Sequence, residues 1–139
     1  GTLPQAGSVA VFSGNGGGEL ARKFGATKKA GAGYSVATGD INSDSFADII
    51  VGAQKDDAPG FVAIKDVGSV YVWSGSNFTL LDSFYGDAAQ DYSGVSVSAG
   101  DVNGDGNLDI IIGVAGADGE SPPPLKDAGM VKIISGISF

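Results

Sequence analysis

Asp101-Val102-Asn103-Gly104-Asp105-Gly106-Asn107-Leu108-Asp109 runs directly into Ile110-Ile111-Ile112-Gly113. The stretch sets oxygen-bearing side chains at its first, third, fifth and ninth positions and a glycine at its sixth. That is the spacing of a calcium loop: a hard dication takes about six to eight oxygens at roughly 2.3–2.6 Å, and a tight turn delivers alternate side chains inward and adds the backbone carbonyl of position seven. The candidate ligands are Asp101, Asn103, Asp105, Asp109 and the carbonyl of Asn107. Three carboxylates this close repel one another unless a cation lies between them.

A second copy lies upstream. Asp40-Ile41-Asn42-Ser43-Asp44-Ser45-Phe46-Ala47-Asp48 supplies Asp40, Asn42, Asp44 and Asp48, with the carbonyl of Phe46 at position seven. Ser45 replaces Gly106, and a non-glycine residue at positive φ costs about 1 kcal/mol. The upstream site is therefore expected to bind Ca²⁺ more weakly than the Asp101–Asp109 site. Position twelve holds Val51 or Ile112, so Asp48 and Asp109 are the candidates for bidentate ligation. EF-hand and dockerin loops lead into a helix. Here Asp48-Ile49-Ile50-Val51-Gly52 and Asp109-Ile110-Ile111-Ile112-Gly113 are β-branched runs closed by glycine, so each loop is expected to join two strands of a hairpin. Asp and Asn also form turns without a metal, but two loops in register make that reading the weaker one.

The two loops belong to a longer duplication. Ala6-Gly7-Ser8-Val9-Ala10-Val11-Phe12-Ser13-Gly14 returns as Val67-Gly68-Ser69-Val70-Tyr71-Val72-Trp73-Ser74-Gly75 and again as Ala128-Gly129-Met130-Val131-Lys132-Ile133-Ile134-Ser135-Gly136; the offset is 68 − 7 = 61 and 129 − 68 = 61. Aligning residues 6–66 with 67–127 needs no gap and gives 22 identities in 61 positions. Such a period is the mark of a repeat architecture.

Each unit alternates with period two and predicts four strands: the first at 34–38 or 95–99, the second at 47–51 or 108–112, the third at 69–73 or 130–134, the fourth at 80–85, with an earlier fourth strand at 19–24. The 24 glycines suit tight turns and leave no room for long helices. The loops 54–66 and 115–127, rich in Pro, Gly and Asp, are expected to be solvated excursions, with a binding role as the alternative. Phe12, Tyr71, Trp73 and Tyr85 are expected to pack between repeats.

Composition narrows function. Eight Lys and Arg against sixteen Asp and Glu give a net charge of −8, which argues against nucleic acid or an anionic membrane surface as partner. With no His and no Cys there is no imidazole- or thiolate-based nucleophile, no disulfide and no soft-metal site, so an enzyme is not expected. No apolar run approaches the ~20 residues of a membrane span, so no membrane insertion is expected. A chain starting at Gly1 without Met reads as a processed product or a fragment.

The residues resemble the FG-GAP repeat, the blade unit of the integrin α-subunit β-propeller. The resemblance rests on Gly33-Tyr34-Ser35-Val36 and Gly94-Val95-Ser96-Val97, the two Asp loops, Gly52-Ala53-Gln54 and Gly113-Val114-Ala115, and Gly68-Ser69-Val70-Tyr71-Val72. The Pro that follows Gly-Ala in the family pattern is missing from both copies. The resemblance implies an all-β fold of about two four-stranded antiparallel propeller-type blades, Ca²⁺ between the first two strands of each, and an extracellular or cell-surface adhesive or structural role. Within one repeat-built domain spanning 1–139, residues 6–25 are then the third and fourth strands of a preceding blade, 33–86 a full unit and 94–136 a partial one.

Nine strands are too few for a closed ring of blades. Open edges call for further blades or for other copies of the chain, through addition of residues 7–24 to the unfinished last sheet, giving rings or filaments. A protein or glycan ligand is the other expected partner, as in a binding module of a larger secreted protein. Asn77-Phe78-Thr79 matches the N-glycosylation sequon, which makes Asn77 a candidate acceptor in a secreted chain.

Overall fold

The computed structural model describes residues 4–59, 63–120 and 122–135. Nine strands follow in order: β1 (Ser8–Phe12), β2 (Glu19–Phe24), β3 (Ser35–Gly39), β4 (Asp48–Ala53), β5 (Ser69–Trp73), β6 (Leu80–Tyr85), β7 (Ser93–Gly100), β8 (Asp109–Val114) and β9 (Met130–Ile134). They form three antiparallel sheets, β1-β2, β3-β4-β5-β6 and β7-β8-β9. The expected order of third–fourth, first to fourth, and first to third strands is what the sheets contain. Second strands begin one residue later than predicted and run two residues further, because Gly52 and Gly113 stay in the ladder, opposite Ser35 and Ser96.

The sheets stack, and the joint between neighbours repeats with the 61-residue offset. Gly7 bridges Ala32 in parallel and Gly68 bridges Ser93. Ala32 N–H donates to Ala6 O at 2.9 Å, and Ser93 N–H to Val67 O at 3.0 Å. One apolar cluster, built on Ile41, Ile50, Val70, Val72, Ile110, Ile112, Val114 and Ala117, glues the middle sheet to the third. A second, with Ile49, Val51, Tyr71 and Trp73, takes Val9 and Val11 from the first sheet.

Being sandwiched, β5 is buried on both faces, although its sequence alternates. β9 has the same pattern and no sheet beyond it among the described residues: Val131 and Ile133, the equivalents of Val70 and Val72, are 63% and 50% exposed, against 0% for both Val70 and Val72. Tyr71 and Trp73 pack as expected, their rings stacked 5.4 Å apart. Phe12 does not. It is exposed, since the first sheet has only two strands and no described neighbour on that side.

The loops 54–66 and 115–127, expected to be solvated excursions, carry internal order in their described parts. Each is folded back on itself by the same contacts: Ala58 N–H to Ile64 O and Gly119 N–H to Leu125 O, and the ion pairs Lys65–Asp57 at 2.5 Å and Lys126–Asp118 at 2.8 Å. In the first loop Asp56 is wholly buried. Its carboxylate accepts hydroxyl hydrogens from Thr27, Ser69 and Tyr71, tying the loop to the joint between the first two sheets. Burial next to that carboxylate drives the Tyr71 phenol far above its ordinary value.

The third sheet lacks only a fourth strand among the described residues, whereas the β1–β2 hairpin already unites a third and a fourth. Adding residues 7–24 of another copy to β9 would bring a third strand along with the missing fourth. The end of the third unit at Gly136 lies outside the described residues.

Candidate metal centre

Both Asp loops are hairpin connections, β3 to β4 and β7 to β8, as the β-branched runs after them require. Each is closed by its own carboxylates. In the upstream loop Asp40 Oδ1 accepts Asp44 N–H at 3.0 Å, and Oδ2 accepts Ser45 N–H at 2.9 Å. Asn42 Oδ1 accepts Asp44 N–H at 3.1 Å, and Asp44 Oδ1 accepts Phe46 N–H at 2.8 Å. The downstream loop repeats every bond: Asp101 takes Asp105 and Gly106 N–H, Asn103 takes Asp105 N–H, and Asp105 takes Asn107 N–H. Asp48 and Asp109, the first residues of β4 and β8, are fully buried and accept the N–H of Ile41 and of Val102, both at 2.8 Å.

The structure thus brings Asp40, Asn42, Asp44, Phe46 and Asp48 into one loop, and Asp101, Asn103, Asp105, Asn107 and Asp109 into another. Among the described residues, however, no group of three or more carboxylates is gathered closely enough to hold a metal ion by itself. The carboxylates lie instead against backbone N–H groups. The donor set fits a hard cation: each loop offers only oxygens, from three carboxylates, one carboxamide and a backbone carbonyl, and no nitrogen or sulfur ligand. Among the described residues no Lys or Arg pairs with Asp40, Asp44, Asp48, Asp101 or Asp105. Those five carboxylates therefore have no ion-pair partner among the described residues.

The two loops differ in backbone strain and in cover. Ser43 and Ser45 sit at φ 60° and 72°, where Gly104 and Gly106 take 75° and 90°. The expected positive φ at Ser45 is present, and Ser43 adds a second. Against that, the upstream loop is braced by the turn after β5, a feature the local motif could not reveal. Gly75 N–H donates to Asp48 Oδ1 at 3.0 Å. The Ser76 hydroxyl reaches Asp44, whose carboxyl is held below its ordinary value chiefly by the Phe46 N–H, then by Ser76 and Asn42. Gly75 can make this approach because a Cβ there would collide with the Ala47 carbonyl. The repeated Ser-Gly pairs, 61 residues apart, hint at this contact; in the downstream loop Asn103 Nδ2 donates to Ser135 Oγ, the equivalent of Ser74, at 2.8 Å, and the equivalent of Gly75, Gly136, lies outside the described residues.

Comparison with known proteins agrees with this architecture. The FG-GAP repeat profile matches residues 32–73 and 93–134. Integrin alpha-V of Gallus gallus is 33% identical over 106 residues, covering 73% of this chain and 9% of the relative. Integrin alpha-5 of Xenopus laevis is 37% identical over 81 residues, 58% of this chain and 7% of the relative. Integrin alpha-E of Mus musculus is 40% identical over 87 residues, 55% of this chain and 7% of the relative. The chain thus spans less than a tenth of the length of these relatives.

Proposed function

Because the chain belongs to the FG-GAP repeat family, we propose that it is a calcium-binding, non-catalytic β-propeller module with a structural or adhesive role in an extracellular or cell-surface protein. The observation that carries the calcium reading is the pair of oxygen-only hairpin loops, in each of which the first aspartate accepts the same two backbone N–H groups. Asp40, Asn42, Asp44, Asp48 and the Phe46 carbonyl would hold one ion; Asp101, Asn103, Asp105, Asp109 and the Asn107 carbonyl would hold the other. Bound Ca²⁺ supplies the positive charge that lets three carboxylates share one turn, stiffening the hairpin and through it the stack. The downstream loop, with glycine at both positive-φ positions, is the tighter site in this proposal. No helix among the described residues is long and apolar enough to cross a membrane.

The similarity to integrin α subunits supports an extracellular setting and a protein partner, with a glycan ligand as the alternative. A second reading, self-association into a surface assembly, is favoured by the exposed Met130, Val131 and Ile133 on the last sheet. Solution mass in the presence of Ca²⁺ separates the two: a stable monomer counts against self-association.

Calorimetric titration of Ca²⁺ into the intact chain and into Asp44→Ala and Asp105→Ala variants tests the metal assignment. Two binding events are expected, with Asp105→Ala removing the tighter. Absence of binding heat, with melting unaffected by Ca²⁺ in all three proteins, overturns it.

A further inference from the structure

Asn77-Phe78-Thr79 is the only Asn-x-Ser/Thr tripeptide in the sequence, and it occupies the turn between β5 and β6. Ser74 N–H donates to Thr79 O at 2.8 Å and Phe78 N–H to Ser74 O at 2.9 Å, closing the base of the turn. Phe78 packs against the cluster containing Tyr71 and Trp73, whereas Asn77 and Thr79 are exposed. Asn77 Oδ1 accepts both the Thr79 N–H, at 3.0 Å, and the Thr79 hydroxyl, at 2.7 Å. Its Nδ2 makes no hydrogen bond among the described residues. The nucleophilic nitrogen is therefore free and solvent-facing, while the hydroxyl two residues on already engages the amide.

The turn does not need these residues in order to form. Between β1 and β2 the same turn, with Ser13 N–H to Gly18 O at 2.8 Å and Gly17 N–H to Ser13 O at 3.0 Å, is built from Gly16-Gly17-Gly18. Phe78 even takes φ 60° where Gly17 takes 71°, a conformation that side chains resist. The bonds between Asn77 and Thr79 add to this turn, but its closure does not require them.

We propose that Asn77 is the acceptor of an N-linked glycan. The donor class is a lipid-pyrophosphate-linked oligosaccharide: Nδ2 forms a bond to sugar C1, the C1–O bond to pyrophosphate breaks with its electron pair leaving on the pyrophosphate, and Nδ2 gives up a proton. The attachment point is two residues from Gly75, which holds Asp48, so the sugar is anchored beside the upstream loop.

The proposal rests on the extracellular reading, because the donor lipid is found in the secretory lumen. The test supplies that compartment. The full chain is expressed in a eukaryotic host behind a cleavable signal sequence and fused to a tag carrying its own sequon, whose glycosylation reports entry to the lumen. Intact mass and peptide mapping before and after an N-glycosidase are expected to show a removable glycan at Asn77, absent in Asn77→Gln and Thr79→Ala and retained in Thr79→Ser, all four proteins melting alike. Molecules with a glycosylated tag and unmodified Asn77 overturn the proposal without touching the native location of the chain. A glycan on the chain that survives Asn77→Gln overturns it as well.

Discussion

Replacing Asp48 by Asn changes one atom in a buried site and isolates the polar half of the loop's design. Asp48 is fully buried. Its Oδ2 accepts Ile41 N–H at 2.8 Å and Asn42 N–H at 3.3 Å, and its Oδ1 accepts Gly75 N–H at 3.0 Å. An asparagine fills the same volume, so no cavity opens, but only one of its two terminal atoms can accept. The NH₂ must face either the Ile41 side or Gly75, turning a charge-assisted bond of about 1.5–3 kcal/mol into a donor–donor contact, and the remaining bond loses its charge. The expected loss is about 3–4 kcal/mol, read from urea denaturation in EDTA as a lower midpoint at unchanged m-value. Ca²⁺ adds a second readout. At 100 times its dissociation constant an ion adds about 2.7 kcal/mol to the folded state; the variant should lose the upstream share of that gain and keep the downstream share. A variant within about 0.5 kcal/mol of the parent in EDTA would refute the hydrogen-bond argument. A calcium gain equal to the parent's would refute Asp48 as a ligand.

Two more outcomes follow from the repeat geometry. Val72→Ala removes two methyl groups from the joint between the middle and third sheets and should cost about 2 kcal/mol by thermal denaturation; Ile133→Ala, at the equivalent but half-exposed position, should stay within about 0.5 kcal/mol. The ion-paired loops set a pH dependence. The Lys65 hydrogen bond, helped by the Asp66 N–H, holds Asp57 below its ordinary 3.8, and Lys126 then the Asp127 N–H do the same for Asp118. A depressed folded-state value stabilises above the unfolded value and is lost as pH falls through the folded one, so melting temperature should decline below about pH 3.8, less steeply in Lys65→Met. Lys65 and Lys126, raised above 10.5, act in the opposite sense: their contribution is present below 10.5 and lost as pH rises through the folded values.

The sequence by itself determined the repeat, the nine strands and the membership of both loops, because strand period and turn spacing are written in neighbouring residues. The positive φ at Ser45 was legible for the same reason, as glycine in one copy marks the conformation demanded of serine in the other. Only the tertiary structure decided which faces are covered. Val72 and Ile133 carry equivalent side chains on equivalent strands, yet one is core and the other surface, because burial depends on whether another sheet stands against the strand. Asp56 and Gly75 make the same point: one carboxylate leaves its loop for a buried nest of hydroxyls, and one backbone N–H reaches Asp48, 27 residues earlier. Such contacts join segments far apart in the chain, so the position of each sheet in the stack creates them, and no local pattern records it.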